Sequence, residues 1–314
     1  MSKVESVLGP IESEEMGFTL PHEHVLSGSA GVSYTYPEMI NRSWLTQSVI
    51  EDLIEAKNEG LNTFVDVTPF DLGRDIRLLH DAAVGSGVHI IAATGTHRNI
   101  PRAFLEGTTA DQIANLFVRE IEEGIEGTGI RAGIIKVAND SEGVNATGEL
   151  MLRAAARAHK RTGVPITTHS YAPGKVGNDQ VAIFEDEGVD LRHVYIGHSN
   201  DTDDLEYLEG LCRKGCFLGM DRFPGSGIMD WEKRVLVTKQ LIDNGHAGNI
   251  MLSHDRRLCG PNTREDRFVR RGNNPDGINF VTRKVLPRLI ELGVTTETIR
   301  QITVESPRHL FEGT

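Results

Sequence analysis

Eight short apolar segments, each followed by a stretch with helical periodicity, constrain the fold of this chain more than any other feature. The segments span 19–25, 63–67, 89–95, 133–137, 165–169, 194–198, 216–221 and 250–255. Apolar spacing of helical type recurs between and after them, at 48–57, 74–84, 110–126, 148–161, 179–187, 203–214, 231–244 and 279–292. A doubly wound sheet needs only about five to seven strands, so the count and the alternation predict a (β/α)8 barrel of the TIM type. A polar, aromatic loop is expected over 27–41, and a closing helix over 297–311 is expected to cover the outside of the barrel. No Pro/Gly/Ser linker breaks the alternation, and 314 residues suit one barrel, so a single domain over 1–314 is expected.

Net charge and cysteine usage narrow the class. A formal charge of −12 and a pI near 5.5 argue against a nucleic-acid surface, which needs a basic face. A small-molecule substrate is the expectation instead. Cys212, Cys216 and Cys259 are sparse and lack metal-knuckle spacing, which reads as reduced thiols. The chain opens without an apolar run of signal-peptide length, and no stretch approaches the roughly 20 apolar residues of a membrane helix. The expected location is the cytoplasm, with no membrane partner.

In such barrels the reacting groups stand at the C-terminal ends of the strands. His22 and His24 lie two residues apart in the first strand, so they face one side while Glu23 faces the other. Lys136 closes the fourth strand, His169 the fifth, His198 the sixth and Asp255 the eighth. Imidazoles and a carboxylate suit zinc or a similar first-row dication. The set is too large for one tetrahedral ion, which implies two ions about 4 Å apart. Lys136 is the odd member, because an ammonium repels a cation. Addition of carbon dioxide to its amine makes a carbamate, an anion with two oxygens able to bridge both ions. Two dications against Asp255, the carbamate and a bridging hydroxide leave residual positive charge, which favours an anionic transition state.

With these residues placed, the chain resembles the phosphotriesterase family of the amidohydrolase superfamily over nearly its whole length. The resemblance is carried by Gly17-Phe18-Thr19-Leu20-Pro21-His22-Glu23-His24, Gly73-Arg74-Asp75, Gly129-Ile130-Arg131-Ala132-Gly133-Ile134-Ile135-Lys136 and Thr168-His169-Ser170. The run from Ile196 through His198 and Asp201 to Asp204, and Leu252-Ser253-His254-Asp255, complete it. It implies that His22, His24 and Asp255 hold a buried ion, that His169 and His198 hold an exposed one, and that carboxylated Lys136 bridges them. Zinc is the first expectation, with cobalt, manganese or iron as alternatives. The resemblance also implies a homodimer, with Asp255 taking a proton from the bridging hydroxide and Asp201 helping to relay it to solvent.

Within that family, phosphotriesterases and lactonases share the metal core and differ in the loops. Asp221-Arg222 after the seventh strand resembles the lactonase pattern, which makes Arg222 a candidate catalytic and substrate residue. Where lactonases usually carry Tyr and triesterases Trp, this chain carries His97 followed by Arg98. The loop after Asp255 holds Arg256, Arg257, Arg264, Arg267, Arg270 and Arg271 with only Phe268 as an aromatic, alongside Glu265 and Asp266. Arginines suit a carboxylate or phosphate on a substrate, and Arg256 and Arg257 stand nearest the expected metals. The sequence therefore predicts a lactone or related ester as substrate, with side activity on organophosphate triesters. A phosphotriesterase proper and a small-molecule receptor without turnover are the competing expectations.

Overall fold

The computed structural model describes residues 2–225, 227–259 and 274–313. Arg264, Arg267, Phe268, Arg270, Arg271, Glu265 and Asp266 lie outside the described residues.

An antiparallel hairpin of β1 (Lys3–Ser6) and β2 (Gly9–Glu12) comes first, a feature the apolar pattern does not announce. The eight expected strands follow as β3 (Thr19–Leu26), β4 (Thr63–Asp66), β5 (His89–Gly95), β6 (Ile134–Ala138), β7 (Ile166–His169), β8 (Val194–Ile196), β9 (Phe217–Met220) and β10 (Ile250–Leu252). They pair in parallel in chain order, and a ninth, β11 (Arg257–Cys259), adds to the free side of β3. The sheet is curled so that its ends meet. Among the contacts there, His22 N–H donates to Ser253 Oγ at 3.1 Å and Asp255 N–H to the His22 carbonyl at 3.1 Å. The result is a barrel-like α/β fold.

Strand parity decides what faces the barrel axis. Ile90, Ala92, Ile135, Val137, Leu218, Ile250 and Leu252 pack outward with the helices in one continuous cluster. Their neighbours Ile91, Ala93 and Ile134 pack inward with Val65, Val67, Val4 and Met16. Tyr195, Phe217, Met251 and Leu310 fill the other side of the same interior. Phe217 and Met251 are almost fully buried, and burial of this kind stabilises by about 1.5–3 kcal/mol per side chain. β3 breaks parity once. Leu20 pairs with Phe64 but Glu23 pairs with Asp66, so β3 carries one extra residue between them, next to Pro21, which has no N–H to give the ladder. Leu20 therefore faces the helices, while His22 and His24, also even-numbered, face inward.

The helices sit where the periodicity puts them, with ends set by local chemistry. Arg42–Asn58 starts earlier than expected because Asn41 caps it, accepting from the Trp44 N–H. Ile76–Ser86 starts at its Asp75 cap, and Ala110–Glu122 has a reciprocal Thr109/Gln112 capping box. The latter stops short of 126 because Gly124 adopts a φ of 110°. The last two expected helices are each broken into a wide π turn and an α segment, at Val281–Val285 before Leu286–Glu291 and at Gln301–Glu305 before Ser306–Glu312. Pro287 and Pro307 each stand second after their wide turn, and each lacks the N–H that an uninterrupted α ladder requires.

The C-terminal segment does not lie along the barrel's outside. Ser306 Oγ donates to the Ala247 and Gly248 carbonyls, and the Leu310 carbonyl lies 3.2 Å from His193 Nδ1, all at strand starts. Leu310 and Phe311 thus close the barrel's N-terminal end, where the β1–β2 hairpin also packs. Among the described residues no helix is long and apolar enough to cross a membrane, and Cys212, Cys216 and Cys259 are buried free thiols.

Candidate metal centre

His22, His24, Lys136, His169, His198 and Asp255 line one cleft of about 370 Å3 at the C-terminal strand ends, together with His97, Arg222 and Arg257. The six groups expected from the sequence thus converge. Lys136 Nζ lies 2.9 Å from His22 Nε2, and His198 Nε2 lies 2.8 Å from His169 Nδ1. Asp255 Oδ1 is 3.3 Å from His24 Nε2 and 3.8 Å from His22 Nε2, and its Oδ2 is 3.8 Å from His198 Nε2. His22, His198 and Asp255 each offer a ligand atom within 4.8 Å of the others.

The donors are pre-oriented. His24 Nδ1 bonds Thr68 Oγ1 at 2.8 Å, and His198 Nδ1 bonds Asp221 Oδ1 at 2.9 Å. His22 Nδ1 lies 3.1 Å from Asp221 Oδ2, close but off the line of a good hydrogen bond. Each of these rings therefore has Nδ1 backed by a protein oxygen and Nε2 turned to the cleft. His169 is reversed, with Nδ1 inward and Nε2 3.4 Å from Asp140 Oδ2. Burial, then the Lys136 charge, pushes His22 down to about 3, and burial with His198 holds His169 well below the usual range. The unprotonated rings of His22 and His169, beside an ionised carboxylate, are the donor chemistry that zinc and its neighbours take. Burial alone would raise the Asp255 carboxyl, but His198, His24 and His22 outweigh it and hold it well below the carboxylate range.

Lys136 is 1 % exposed, and burial lowers its amine to about 8 despite the pull of Asp255 and Asp221. A buried amine with that value has a substantial free-base fraction near neutral pH, the form that adds carbon dioxide. His198 and Asp255 also hold left-handed backbone, with φ of 61° and 52°. Such conformations cost roughly 1–3 kcal/mol each and gather where a site over-determines them.

A family model described as the phosphotriesterase family matches residues 2–311. The chain belongs to the phosphotriesterase family. A phosphotriesterase homology protein of Mycobacterium tuberculosis is 38 % identical over 99 % of this chain and 98 % of its own length. An aryldialkylphosphatase of Saccharolobus solfataricus is 36 % identical over 96 % of each chain. An N-acetyltaurine hydrolase of Danio rerio is 26 % identical over 98 % of this chain and 97 % of its own.

Of the further residues singled out in this phosphotriesterase-family chain, Arg222 stands beside the ligands, its Nε donating to Asp255 Oδ2 at 3.1 Å. Its Nη1 donates to Asp201, whose other oxygen accepts from Arg234 Nη1 at 2.6 Å. The Asp201 carboxylate thus meets the cleft lining through Arg222, while its N–H donates to the His198 carbonyl at 3.1 Å. His97 lines the cleft, edge-on to His169 with ring centroids 5.0 Å apart, and burial lowers it to about 2. Arg98 instead lines a neighbouring cavity of about 570 Å3 and pairs with Asp140 and Glu142. Arg257 borders the cleft, whereas Arg256 engages β3 through its backbone, accepting from the His24 N–H at 2.9 Å.

The supporting role of two acids escaped the sequence reading, although Asp221 was noted there beside Arg222. Asp221 accepts from His198 N–H, His198 Nδ1 and Tyr195 O–H, each at 2.9 Å. Asp66 accepts from the Val25 and Thr68 N–H groups and so places the hydroxyl that meets His24. Both had a signal: an acid at or just after the end of an apolar strand, where burial has to be explained by partners.

Proposed function

We propose that this protein is a metal-dependent hydrolase of a lactone or related ester, with side activity on organophosphate triesters. The observation that carries the reading is the meeting of four imidazoles, one carboxylate and one amine in a single cleft, with the rings already turned to present lone pairs. His22, His24 and Asp255 would hold one divalent ion, His169 and His198 a second, and Lys136, once carboxylated, would bridge them, with zinc the first choice. When bound, such a pair polarises a carbonyl or phosphoryl oxygen and supplies an acidified water as nucleophile.

The chain's own groups do the rest. Asp255, ionised and flanked by imidazoles, accepts the proton released at the attacking oxygen. Arg222 donates to Asp255 and stands at the cleft wall, where its remaining N–H groups suit the oxygen of a lactone ring or of an ester. Asp201, with both oxygens on guanidiniums, fixes Arg222 rather than carrying the proton onward. His97 is neutral and half-buried, a polar wall for an uncharged substrate. We extend the reading to a homodimer of one-domain subunits.

The second reading is a phosphotriesterase proper, favoured by the relative named aryldialkylphosphatase at 36 % identity. The N-acetyltaurine hydrolase among the relatives adds amides to the substrates worth trying. Zinc-reconstituted protein assayed with a lactone panel, an aryl dialkyl phosphate and an N-acyl amide decides among them. Lactone opening with a higher kcat/KM than phosphotriester cleavage is the expected result; tight lactone binding without opening would instead mark a receptor.

A further inference from the structure

We propose that Glu23, which points away from the cleft, is a positioning residue: with His254 it clamps the turn that carries Asp255. The inference rests on Asp255 serving the site as a ligand and proton acceptor. Glu23 is fully buried, yet no basic side chain of Lys or Arg type pairs with it among the described contacts. Its charge is spent on one turn. Oε1 accepts from Ser253 Oγ at 2.7 Å, His254 N–H at 2.8 Å and His254 Nδ1 at 2.6 Å, while Oε2 accepts from Arg256 N–H at 2.9 Å. The amide between them, Asp255 N–H, goes to the His22 carbonyl.

Three successive amides, 254 to 256, are therefore tied to the two residues His22 and Glu23 of β3. The residue in the middle is the one with a left-handed φ of 52°. A carboxylate gathering several N–H donors is a strong acceptor, and here it offsets the strain of the backbone that turns Asp255 inward. His254 completes the clamp as one defined tautomer. Nδ1–H donates to Glu23, so Nε2 is free to accept from Val281 N–H at 3.1 Å, which anchors the turn to the helix behind it. Ser253 Oγ links the same unit to a second ligand, since it donates to Glu23 and accepts from His22 N–H.

The test uses the zinc-loaded full chain and three variants. Glu23→Gln keeps the shape but sets an amide donor against a backbone donor. It is expected to lower kcat by about 10–100-fold with KM within about threefold, and to speed zinc release to a chelator by a similar factor. It is also expected to raise amide hydrogen exchange at His254 and Arg256. His254→Leu should do the same, and His254→Asn, which still donates to Glu23, should restore kcat to within about fivefold of wild type. Ile113→Ala, in the buried face of the Ala110–Glu122 helix, serves as a control for lost stability. Unchanged zinc release and exchange in Glu23→Gln would overturn the clamp, as would an equal loss of kcat in Ile113→Ala at the same fall in melting temperature. Should wild type hydrolyse nothing on the panel, the functional reading fails alone, and zinc release and amide exchange still decide on Glu23.

Discussion

Replacing Asp221 by Asn separates what this carboxylate does for the fold from what it does for the site. Its oxygens meet four partners: His198 N–H and Nδ1 on Oδ1, Tyr195 O–H on Oδ2, and His22 Nδ1 at 3.1 Å from Oδ2. Asn fills the same space, and its better orientation keeps the carbonyl on the two His198 donors. The new NH2 then faces Tyr195, whose hydroxyl can rotate to accept. A hydrogen bond to a charged group is worth about 1.5–3 kcal/mol against 0.5–1.5 for a neutral one, so three retained bonds weaken by roughly 3 kcal/mol in total. Against that, a fully buried charge is removed, whose desolvation costs several kcal/mol. The two nearly cancel, and a change in stability of no more than about 2 kcal/mol is expected. The site has no such compensation. His22 loses the oxygen that keeps its Nε2 inward, and His198 loses charge opposite its Nδ1, so a fall of about 10–100-fold in kcat/KM and in zinc affinity follows. Thermal melting, steady-state kinetics on the best substrate and zinc titration read all three. Activity within twofold of wild type would refute the reasoning, as would a loss of activity explained by unfolding.

The remaining expectations follow from single contacts. Arg222→Met should lower kcat/KM about tenfold or more on lactones, because it removes the donor to Asp255 and one of the two guanidiniums on Asp201; kinetics on the same panel check it. His97→Ala should raise KM, whereas Arg98→Ala, which releases the Asp140 carboxylate that backs His169 Nε2, should speed zinc release to a chelator by about threefold or more and change KM little. Chelation should abolish activity, and zinc with bicarbonate should restore it faster than zinc alone if Lys136 has to be carboxylated. A Lys136→Met protein should show no bicarbonate effect. His159 supplies a pH dependence away from the cleft: burial holds it below its usual value, with Nδ1 bonded to the Val164 carbonyl. The unfolded chain then binds a proton first, near pH 6.5, so stability is lost as pH falls below that value. Melting of His159→Gln should depend less steeply on pH between 7 and 5.5.

How much of this was legible depended on whether a residue's role could be read along the chain or only across it. The eight strands were legible because each falls on a short, largely apolar segment between helical periods. The six residues that meet in the cleft were legible because they sit in or just after those segments, toward one end of the barrel. The β1–β2 hairpin was not, since four-residue strands with Gly9 and Pro10 carry too little pattern. Nor were the wide turns before Pro287 and Pro307, where helical spacing continues through a locally altered ladder. The roles of Glu23, Asp66 and Asp221 were not legible for another reason. Each acts on donors supplied by another strand end, and only the parallel register brings those donors within reach. Arg98 shows the converse: it is adjacent to His97 in the chain, but it lines the neighbouring cavity and not the cleft, whereas His97 lines both.

The extra residue beside Pro21 decides which side of β3 meets the cleft. Leu20 and Glu23 are three residues apart on β3 but pair with residues two apart on β4, so taking out the odd residue at Pro21 would close the bulge and leave both registers, with His22 and His24 still turned inward. Two positions later the same change has another outcome. Losing Glu23 would put His24 in the place that faces the helices and remove the acceptor for the 254 and 256 amides, so that one cleft residue and the Asp255 clamp fail together, whereas a substitution in the cleft can be graded.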